Sequence, residues 1–522
     1  MKKIFFLLIS YLLGSSTAFS QNVFEVAFGD SSNDYAKCVT PLFKGGYVVC
    51  GYTDGFGAGN FDAFLAKTDL AGNLIWFKTY GGTDLESSFN VIQTSDQGFA
   101  LVGTTLSGSF GSDDIFVIKT DSNGDVEWSK IYGTSANDQG YDIRQTLNGE
   151  YVVAGFTTIN AGAHYDSYVL KISSSGSLIW SEIFGAANNE GVYTIDFAAN
   201  GNYIFAGKSE MNSNGAADYL LLEMDTSGNI IWMKNYGGVG YEVAVQVRRT
   251  ADNGFIMSGY SDSYTSSGDY DLLAVKTDSA GNLEWANNYQ QSSAQYSGGV
   301  VQGADGGYYF TGCSGASGTY DVFLFKTDAA GTISWAKTYQ HGGTSPGYGF
   351  NFHESSAQLL CFAGYLTSGG NDDALVIVSD LGGNTGSDCT PVSTVFTVTI
   401  LNDIVAVDPT YTLSATGTDA DANFSVNNYT PLSSVLCLST MVADVSETLP
   451  EIFSYEKEVY IQNNFSNHEL TVTVCNTLGQ IICIRKTSGI SVTINMENTS
   501  PGIYIVKVTG NDQTVAEEVL IQ

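Results

Sequence analysis

The chain has 522 residues, of which 43% are hydrophobic and 13% aromatic, so it can bury large cores and is too long for one average domain. Its formal net charge is -33 at pH 7. A chain this acidic repels phosphate groups, which excludes nucleic acid as an expected partner and disfavours an anionic membrane surface.

The first twenty residues have the composition of a secretory signal peptide. Lys2 and Lys3 precede an apolar run from Ile4 to Leu13, and small residues precede Gln21. We therefore assign residues 1–20 to a cleaved leader. The apolar run is too short to cross a bilayer, and no later stretch approaches the ~20 apolar residues of a transmembrane helix, so we expect no membrane span.

Residues 22–383 contain a repeat with a period close to 52 residues. All six tryptophans end a similar phrase, such as GNLIW, and are spaced by 52, 52, 52, 53 and 50 residues. They are Trp76, Trp128, Trp180, Trp232, Trp285 and Trp335. A glycine that closes an apolar strand and an aspartate that opens the next strand each occur seven times. A fixed period of this length indicates a propeller or a solenoid.

Each period predicts four antiparallel strands, because apolar residues alternate between turns rich in Gly, Asn and Ser. Four strands in about 50 residues are typical of one propeller blade. The phrase D.fl.K.d..GN..W...yGG resembles the repeats of bacterial secreted β-propellers. The resemblance implies an all-β fold, a seven-bladed β-propeller with four antiparallel strands per blade.

The two ends of the repeat array predict a closed ring. The seventh unit lacks the tryptophan strand, whereas Val23 to Phe28 match the end of a unit. We expect this N-terminal strand to complete blade seven, which removes the unpaired edges of an open stack.

Residues that recur in every unit are interpreted as structural. The tryptophans should pack between blades as large apolar plugs. Four lysines recur on the last strand, the predicted outer edge, where charge discourages edge pairing. They are Lys78, Lys130, Lys234 and Lys337.

An acidic residue opens each of five predicted inner strands. These residues are Asp34, Glu86, Asp138, Glu190 and Glu242. We expect each carboxylate to accept backbone N–H groups at its own blade junction. The alternative is a cation site with Ca²⁺ as the candidate cofactor, because hard cations bind several oxygens. No metal-binding residue is assigned.

Sequence symmetry breaks in blades five to seven, where the YGG phrase is replaced by longer loops with His and Tyr. These loops share one face with the connections between second and third strands. The candidate ligand-binding residues on this face are Tyr289, Gln290, Tyr296, His341, Tyr348 and His353. The alternative is loop drift without function. No catalytic residue is assigned, since the sequence contains no HExxH phrase.

Residues 384–450 lack the period and predict a β-rich linker module. Cys389 and Cys437 are candidates for a disulfide there, and Cys475 and Cys483, which flank a later turn, are a second candidate pair. The DADAN phrase at 419–423 is interpreted as a solvated turn, with a calcium loop as the alternative.

Residues 451–522 alternate strands and turns and predict an antiparallel β-sandwich. The phrases NTLGQII, which contains Gly479, and SPGIYIVKV, which contains Gly502 and Tyr504, resemble the type A sorting domain of the Bacteroidetes type IX secretion system. The resemblance implies that the partner is the type IX secretion machinery and that the protein is secreted or held at the outer-membrane cell surface.

The sequence thus indicates a secreted or cell-surface binding or adhesion protein rather than an enzyme, with a rigid propeller face presented to a glycan or an extracellular protein. A propeller glycosidase or polysaccharide lyase is the first alternative, and a structural adhesin without a small-molecule ligand is the second. An enzyme is expected to bring carboxylates, His, Tyr or Arg together in one pocket that departs from the repeat symmetry, whereas a binder is expected to expose aromatic residues without such a cluster.

Overall fold

The structure is a computed structural model. It describes residues 23–385 except 30, 58, 160–163, 186–187, 212, 214, 266–267, 317–318, 340–351, 356–357 and 369, and beyond them the strands between 392 and 521 with residues 401 and 496. The predicted leader at 1–20 lies outside the described residues. In this part of the chain no helix is long and apolar enough to cross a membrane.

The described residues up to Ser379 form β-strands. In chain order these are β1 (Val23–Gly29), β2 (Asp34–Pro41), β3 (Tyr47–Thr53), β4 (Asp62–Thr68), β5 (Leu74–Gly81), β6 (Glu86–Gln93), β7 (Phe99–Thr105), β8 (Asp114–Thr120), β9 (Val126–Gly133), β10 (Asp138–Gln145), β11 (Tyr151–Thr157), β12 (Asp166–Ile172), β13 (Leu178–Gly185), β14 (Glu190–Phe197), β15 (Tyr203–Ser209), β16 (Asp218–Met224), β17 (Ile230–Gly237), β18 (Glu242–Arg249), β19 (Phe255–Ser261), β20 (Asp271–Thr277), β21 (Leu283–Gln290), β22 (Gln295–Gln302), β23 (Tyr308–Ala316), β24 (Thr319–Thr327), β25 (Ile333–Tyr339), β26 (Phe352–Glu354), β27 (Leu360–Ser368) and β28 (Asn371–Ser379).

Consecutive strands pair antiparallel in seven successive sheets. Sheets 1 to 6 begin with β2–β5, β6–β9, β10–β13, β14–β17, β18–β21 and β22–β25, and sheet 7 contains β26–β28 with β1. β1 pairs with β28, with Phe24 opposite Val378 and Phe28 opposite Ala374. The prediction that the N-terminal strand joins the last unit is confirmed. The repeat is therefore β-propeller-like.

The first strand of each sheet contacts the first strand of the next, and β26 contacts β2. Seven apolar clusters lie between successive sheets, and the cluster between sheets 7 and 1 contains Phe24, Val39, Tyr47 and Val376. These side chains lie on alternate positions of their strands, so both faces of each sheet are buried. Burial of apolar surface between neighbours is what holds the sheets together.

Sheets 1 to 6 each contact the next sheet through the tryptophan of the fourth strand and, except in sheet 3, where Phe184 stands at that position, through a tyrosine of the same strand. Between sheets 2 and 3, Trp128 Nε1 donates to Ser174 O at 3.1 Å and Tyr132 Oη donates to Gly176 O at 2.6 Å. Gly176 has φ +82°, and a Cβ there would lie 2.8 Å from the Trp128 ring. The same tyrosine-to-glycine bond joins Tyr80 to Gly124, Tyr236 to Gly281, Tyr289 to Gly331 and Tyr339 to Gly383. The tryptophans pack between sheets, as predicted.

Between sheets 7 and 1, Phe24 of β1 takes the place of a tryptophan. A Cβ added to Gly72, which has φ +81°, would lie 2.7 Å from the Phe24 ring. The N-terminal strand therefore supplies both the missing strand of sheet 7 and the aromatic contact to sheet 1.

Seven further strands follow between residues 392 and 439. They are β29 (Val392–Ser393), β30 (Thr397–Ile400), β31 (Val405–Val407), β32 (Thr412–Ser414), β33 (Thr418–Asp421), β34 (Ser425–Tyr429) and β35 (Leu432–Ser439). Each adds a fifth, outermost strand to one sheet, in the order sheet 6, 5, 4, 3, 2, 1 and 7. We name residues 392–439 the encircling segment.

The encircling segment corrects three expectations. Its strands belong to the sheets of the repeat, so they do not form a separate linker module, and four strands per sheet become five. The fourth strands are not edges, because Lys78 is opposite Asn428 and Lys130 is opposite Asp421. The first residues of the DADAN phrase belong to β33, where Asp419 is opposite Tyr132.

The second compact unit contains residues 440–522. Its strands are β36 (Glu451–Tyr455), β37 (Glu458–Gln462), β38 (Leu470–Asn476), β39 (Ile481–Thr487), β40 (Ser491–Asn495), β41 (Gly502–Gly510) and β42 (Gln513–Ile521). They form a three-stranded sheet, β36-β37-β40, and a four-stranded sheet, β39-β38-β41-β42. Tyr504 of the predicted sorting motif is buried in β41, Gly502 opens that strand, and Gly479 lies outside the described residues.

The cysteines of β2, β3, β23 and β27 are buried free thiols, at Cys38, Cys50, Cys313 and Cys361. Cys483 is also free, so the structure does not form the predicted bridge from Cys475 to Cys483. The register explains this, because Cys483 is opposite Val474 whereas Cys475 is opposite Ile481. Cys389 lies outside the described residues, so its bridge to Cys437 stays a prediction.

Candidate functional site

Three of the five acidic residues at the start of the first strands bind backbone groups of their own junctions. Glu86 accepts from Gly82 N at 2.6 Å, Asp138 from Thr134 N at 2.6 Å, and Glu242 from Gly238 N at 2.8 Å. This is the role expected from their periodicity. Groups of three His, Cys, Asp or Glu placed to hold a metal ion do not occur among the described residues.

The first strands of sheets 1 to 6 each carry a β-bulge near the start. The register shifts across one extra residue, which lies between Ala36 and Cys38 in β2 and between Gly140 and Asp142 in β10. A bulge re-aims its side chain and bends the strand. We name these residues the bulge tier: Lys37, Phe89, Tyr141, Tyr193, Val245 and Gly298.

Two further tiers follow along the first strands. The residues directly after the bulges form the middle tier: Cys38, Asn90, Asp142, Thr194, Gln246 and Gly299. Two residues later lies the lower tier: Thr40, Ile92, Arg144, Asp196, Arg248, Val301 and His353. In all three tiers the residue type at equivalent positions differs between units, whereas the outer strands repeat the same residue types from unit to unit.

Hydrogen bonds of the middle tier run from sheet to sheet. Asn90 Nδ2 donates to Asp142 Oδ1 at 2.8 Å, and Asp142 Oδ2 accepts from Ile195 N at 2.9 Å. Gln246 Oε1 accepts from Val300 N at 2.6 Å, and its Nε2 donates to Phe352 O at 3.4 Å. The last bond joins sheet 5 to sheet 7, so the first strands approach one another closely at the centre.

A cavity of about 380 Å³ opens beside this network. It is lined by Lys37, Phe89, Asn90, Tyr141, Asp142, Tyr193, Thr194, Tyr241, Val243, Val245, Gln246 and Tyr260. The lining residues come from the first strands of five sheets, apart from Tyr241 and Tyr260. Aromatic walls with a few convergent polar groups are the usual composition of a small-molecule site.

Aromatic rings continue from the cavity over the face that holds the connections between sheets. Tyr141 stacks on Phe89 with centroids 5.1 Å apart and meets Tyr193 edge to face at 5.2 Å. Further ring contacts on this face involve Tyr35, Tyr52, Phe61, Phe156, Tyr165, Tyr260, Tyr270, Tyr296, Tyr320 and Tyr365. We name this surface the aromatic face.

Burial shifts the titration of the charged groups at the centre. It lowers the pKa of Lys37 to about 8, and it lowers the pKa of Arg248 to about 10 with help from Arg144. Burial raises the pKa of Asp142, although Arg144 and Arg248 oppose that shift. Arg144 donates to Asp142 Oδ1 at 2.7 Å. Burial also lowers the pKa of His353, which favours its neutral form.

The described residues among the predicted ligand-binding set lie in different parts of the sheets and do not form one site. Tyr289 is buried between sheets 5 and 6, and Gln290 Nε2 donates to Tyr264 O at 2.6 Å. Tyr296 lies on the aromatic face, 5.7 Å from the Tyr260 and Tyr270 rings, and His353 lies in the lower tier. His341 and Tyr348 lie outside the described residues.

The cavity residues were not predicted from the sequence. They occupy equivalent positions of the repeat at which the residue type changes from unit to unit, and the neighbouring positions hold glycine or apolar residues in most units. That contrast was the available signal, because a ligand needs an asymmetric set of side chains.

Residues 455–522 match the model of the secretion system C-terminal sorting domain. Over 278 residues the chain is 24% identical to the regulatory protein FlaEY of Caulobacter vibrioides, covering 48% of this chain and 28% of that protein. The chain thus spans less than a third of this curated relative. Among solved structures, polysaccharide lyase Uly1 aligns with TM-score 0.43 and 10% identity, covering 68% of this chain and 91% of the lyase. A puromycin hydrolase aligns with TM-score 0.34 and 9% identity, covering 67% and 52%.

The sorting domain has two consequences for the whole chain. It indicates a protein that is secreted or displayed at the cell surface, and it implies interaction with the type IX secretion machinery. The C-terminal unit therefore serves export.

Proposed function

We propose that this is a secreted or cell-surface binding protein whose ligand, a glycan, binds in the central cavity below the aromatic face. In this proposal the seven sheets are the blades of a β-propeller that β1 closes, and the C-terminal unit is a β-sandwich that directs export. The cavity of about 380 Å³ carries the proposal, because it collects residues that differ between the repeats.

The cavity walls suit a sugar ring. Phe89, Tyr141 and Tyr193 present flat apolar surfaces, on which the C–H faces of a sugar can pack. Asn90, Thr194 and Gln246 supply the amide and hydroxyl groups that bind sugar hydroxyls. Their hydrogen bonds to neighbouring sheets fix their positions before a ligand arrives, which reduces the entropy cost of binding.

The test is a glycan array probed with the full chain, followed by titration of each retained glycan. We expect Tyr141→Ala to weaken binding by about tenfold or more, since loss of a well-packed aromatic contact costs roughly 1.5 kcal/mol or more. Leu147→Ala is the matched control, because Leu147 is fully exposed on a hairpin between first and second strands. Equal binding by both variants contradicts the cavity as the site, and a chain that retains no glycan favours a structural adhesin.

A second candidate function is cleavage of a polysaccharide. One observation favours it. The same cavity is lined by two tyrosines, a lysine and a carboxylate, namely Tyr141, Tyr193, Lys37 and Asp142, and Arg144 donates to Asp142. Such an off-symmetry cluster is what an enzyme of this architecture should show. Each retained glycan is therefore incubated with the protein and its products are separated by size, and new reducing ends would favour the enzyme.

A further inference from the structure

Apart from Lys208 and Arg249, the lysines and arginines of sheets 1 to 7 fall into two groups. Nine recur at two positions, five on third strands and four on fourth strands. They are Lys67, Lys119, Lys171, Lys276 and Lys326, and Lys78, Lys130, Lys234 and Lys337. Several of them bind carboxylates of adjacent turns, such as Lys119 with Asp96 at 2.8 Å. A role common to the repeats therefore explains this group.

Lys37 has no basic residue at the equivalent positions of sheets 2 to 6. Arg144 and Arg248 share one position of the repeat, which holds His353 in sheet 7 and no basic residue in the other sheets. The positions equivalent to Lys37 hold Phe89, Tyr141, Tyr193, Val245 and Gly298. All three cations lie on first strands, in a chain whose formal net charge is -33. Positive charge is thus placed at the centre of an acidic protein.

Lys37 is the cation in the cavity wall. Its side chain is buried, and its Nζ lies 5.2 Å from the centroid of the Tyr52 ring and 5.9 Å from that of Tyr35. Apolar walls exclude water, so an ion pair formed here is stronger than one formed at the surface. A lysine in this setting attracts an anion that enters the cavity.

Asp142, a carboxylate in the same wall, is held by other groups. It accepts from Arg144 at 2.7 Å, from Asn90 at 2.8 Å and from Ile195 N at 2.9 Å. Arg248 adds a second positive charge behind it. The two arginines thus balance the charge of Asp142 in the cavity wall.

We propose that the cavity selects acidic saccharides and that Lys37 binds the anionic substituent, a carboxylate or a sulfate ester. The proposal rests on the glycan-binding function proposed above. The sugar ring packs on Phe89, Tyr141 and Tyr193, and its charged group points towards the Lys37 ammonium.

The experiment titrates the full chain with three probes by calorimetry: trigalacturonate, its neutral methyl ester and a sulfated galactan oligosaccharide. We expect the wild type to bind at least one acidic probe about tenfold or more tightly than the neutral ester. The two acidic probes distinguish a carboxylate ligand from a sulfate ligand. Lys37→Met keeps the side-chain length without charge, and it should abolish this preference while leaving the affinity for the ester within about threefold.

Lys37→Arg is the matched control, because it keeps the positive charge and should keep the preference for acidic probes. Thermal unfolding of both variants shows that the fold is intact. Equal binding of acidic and neutral probes by the wild type overturns the proposal while leaving glycan binding in place. Equal loss of all probes in Lys37→Met also overturns it, since the lysine would then be structural. Failure of every probe and of the glycan array contradicts the proposed function itself.

Discussion

The outer strands of the sheets repeat their chemistry from unit to unit, whereas the first strands do not. Every junction described here uses an aromatic residue against a glycine of the next sheet, from Phe24 at Gly72 to Trp335 at Gly383. The three central tiers instead combine Lys, Asp, Arg, Tyr and His at equivalent positions. The difference teaches that the repeated contacts at the junctions hold the sheets together. In the function proposed above, specificity belongs to the centre, and substitutions can separate the two roles.

Trp128→Ala is expected to have the largest effect on stability. It removes a ring that packs against Gly176 and meets Tyr151 edge to face at 5.9 Å, and it leaves a void between sheets 2 and 3. We expect the free energy of unfolding to fall by about 3 kcal/mol. Denaturant unfolding measures this, with Trp128→Phe as the milder control. Unchanged glycan affinity in the folded fraction is also expected, and a changed affinity would break the separation.

Asp114 predicts a pH dependence of stability at the same junction. Burial is the main cause that raises its pKa from 3.8 to about 7, and nearby Asp138, whose own pKa is raised mainly by burial, adds to the shift. The folded chain therefore binds a proton that the unfolded chain has lost, so stability falls as the pH rises from about 4 to about 7. The change is on the order of 1–2 kcal/mol after screening.

Unfolding of the wild type and of Asp114→Asn across this pH range checks the assignment. The neutral amide cannot titrate, so the variant should show a flatter profile. A profile as steep as that of the wild type would assign the pH dependence to other groups.

Gly176→Ala and Gly201→Ala together isolate the aromatic contact. Both glycines have positive φ, +82° and +85°, but a Cβ at Gly201 has no neighbour within 4 Å whereas one at Gly176 meets Trp128 at 2.8 Å. We expect about 1 kcal/mol of destabilisation at Gly201 from backbone conformation and roughly twice that at Gly176. Equal losses in chemical denaturation would show that Trp128 adapts at no cost.

Tyr132→Phe should have the smallest effect. It deletes the hydroxyl that donates to Gly176 O and keeps the ring, so we expect a loss of about 1 kcal/mol. Tyr80→Phe removes the equivalent bond to Gly124 O and should lose a similar amount. Markedly different losses would show that the repeated contacts are not energetically equivalent.

Most of the repeat could be predicted from the sequence, and the encircling segment could not. Tryptophan spacing and the strand from Val23 are strong signals, because large aromatic residues and edge strands have few structural uses. The fifth strands are only two to eight residues long and do not repeat the phrases of the 52-residue period. Their pairing depends on edges already formed by distant strands, which local patterns do not report.

The predicted ligand-binding residues stay a prediction, but the structure shows where the described ones lie. Tyr296 lies on the aromatic face, but Tyr289 repeats the glycine contact of Tyr80 and Tyr132. Alignment of the repeats would have exposed that equivalence. The bulges that turn Lys37 and Tyr141 towards the cavity are features of backbone register, which side-chain patterns do not encode.

The encircling segment limits how the cavity can respond to a ligand. Its successive strands are joined by two to four residues, which even when fully stretched reach no more than roughly 18 Å. Neighbouring sheets are thus linked at their outer rims, which limits how far they can move apart. For the ligand proposed above, we therefore expect affinity to depend on the size of the ligand.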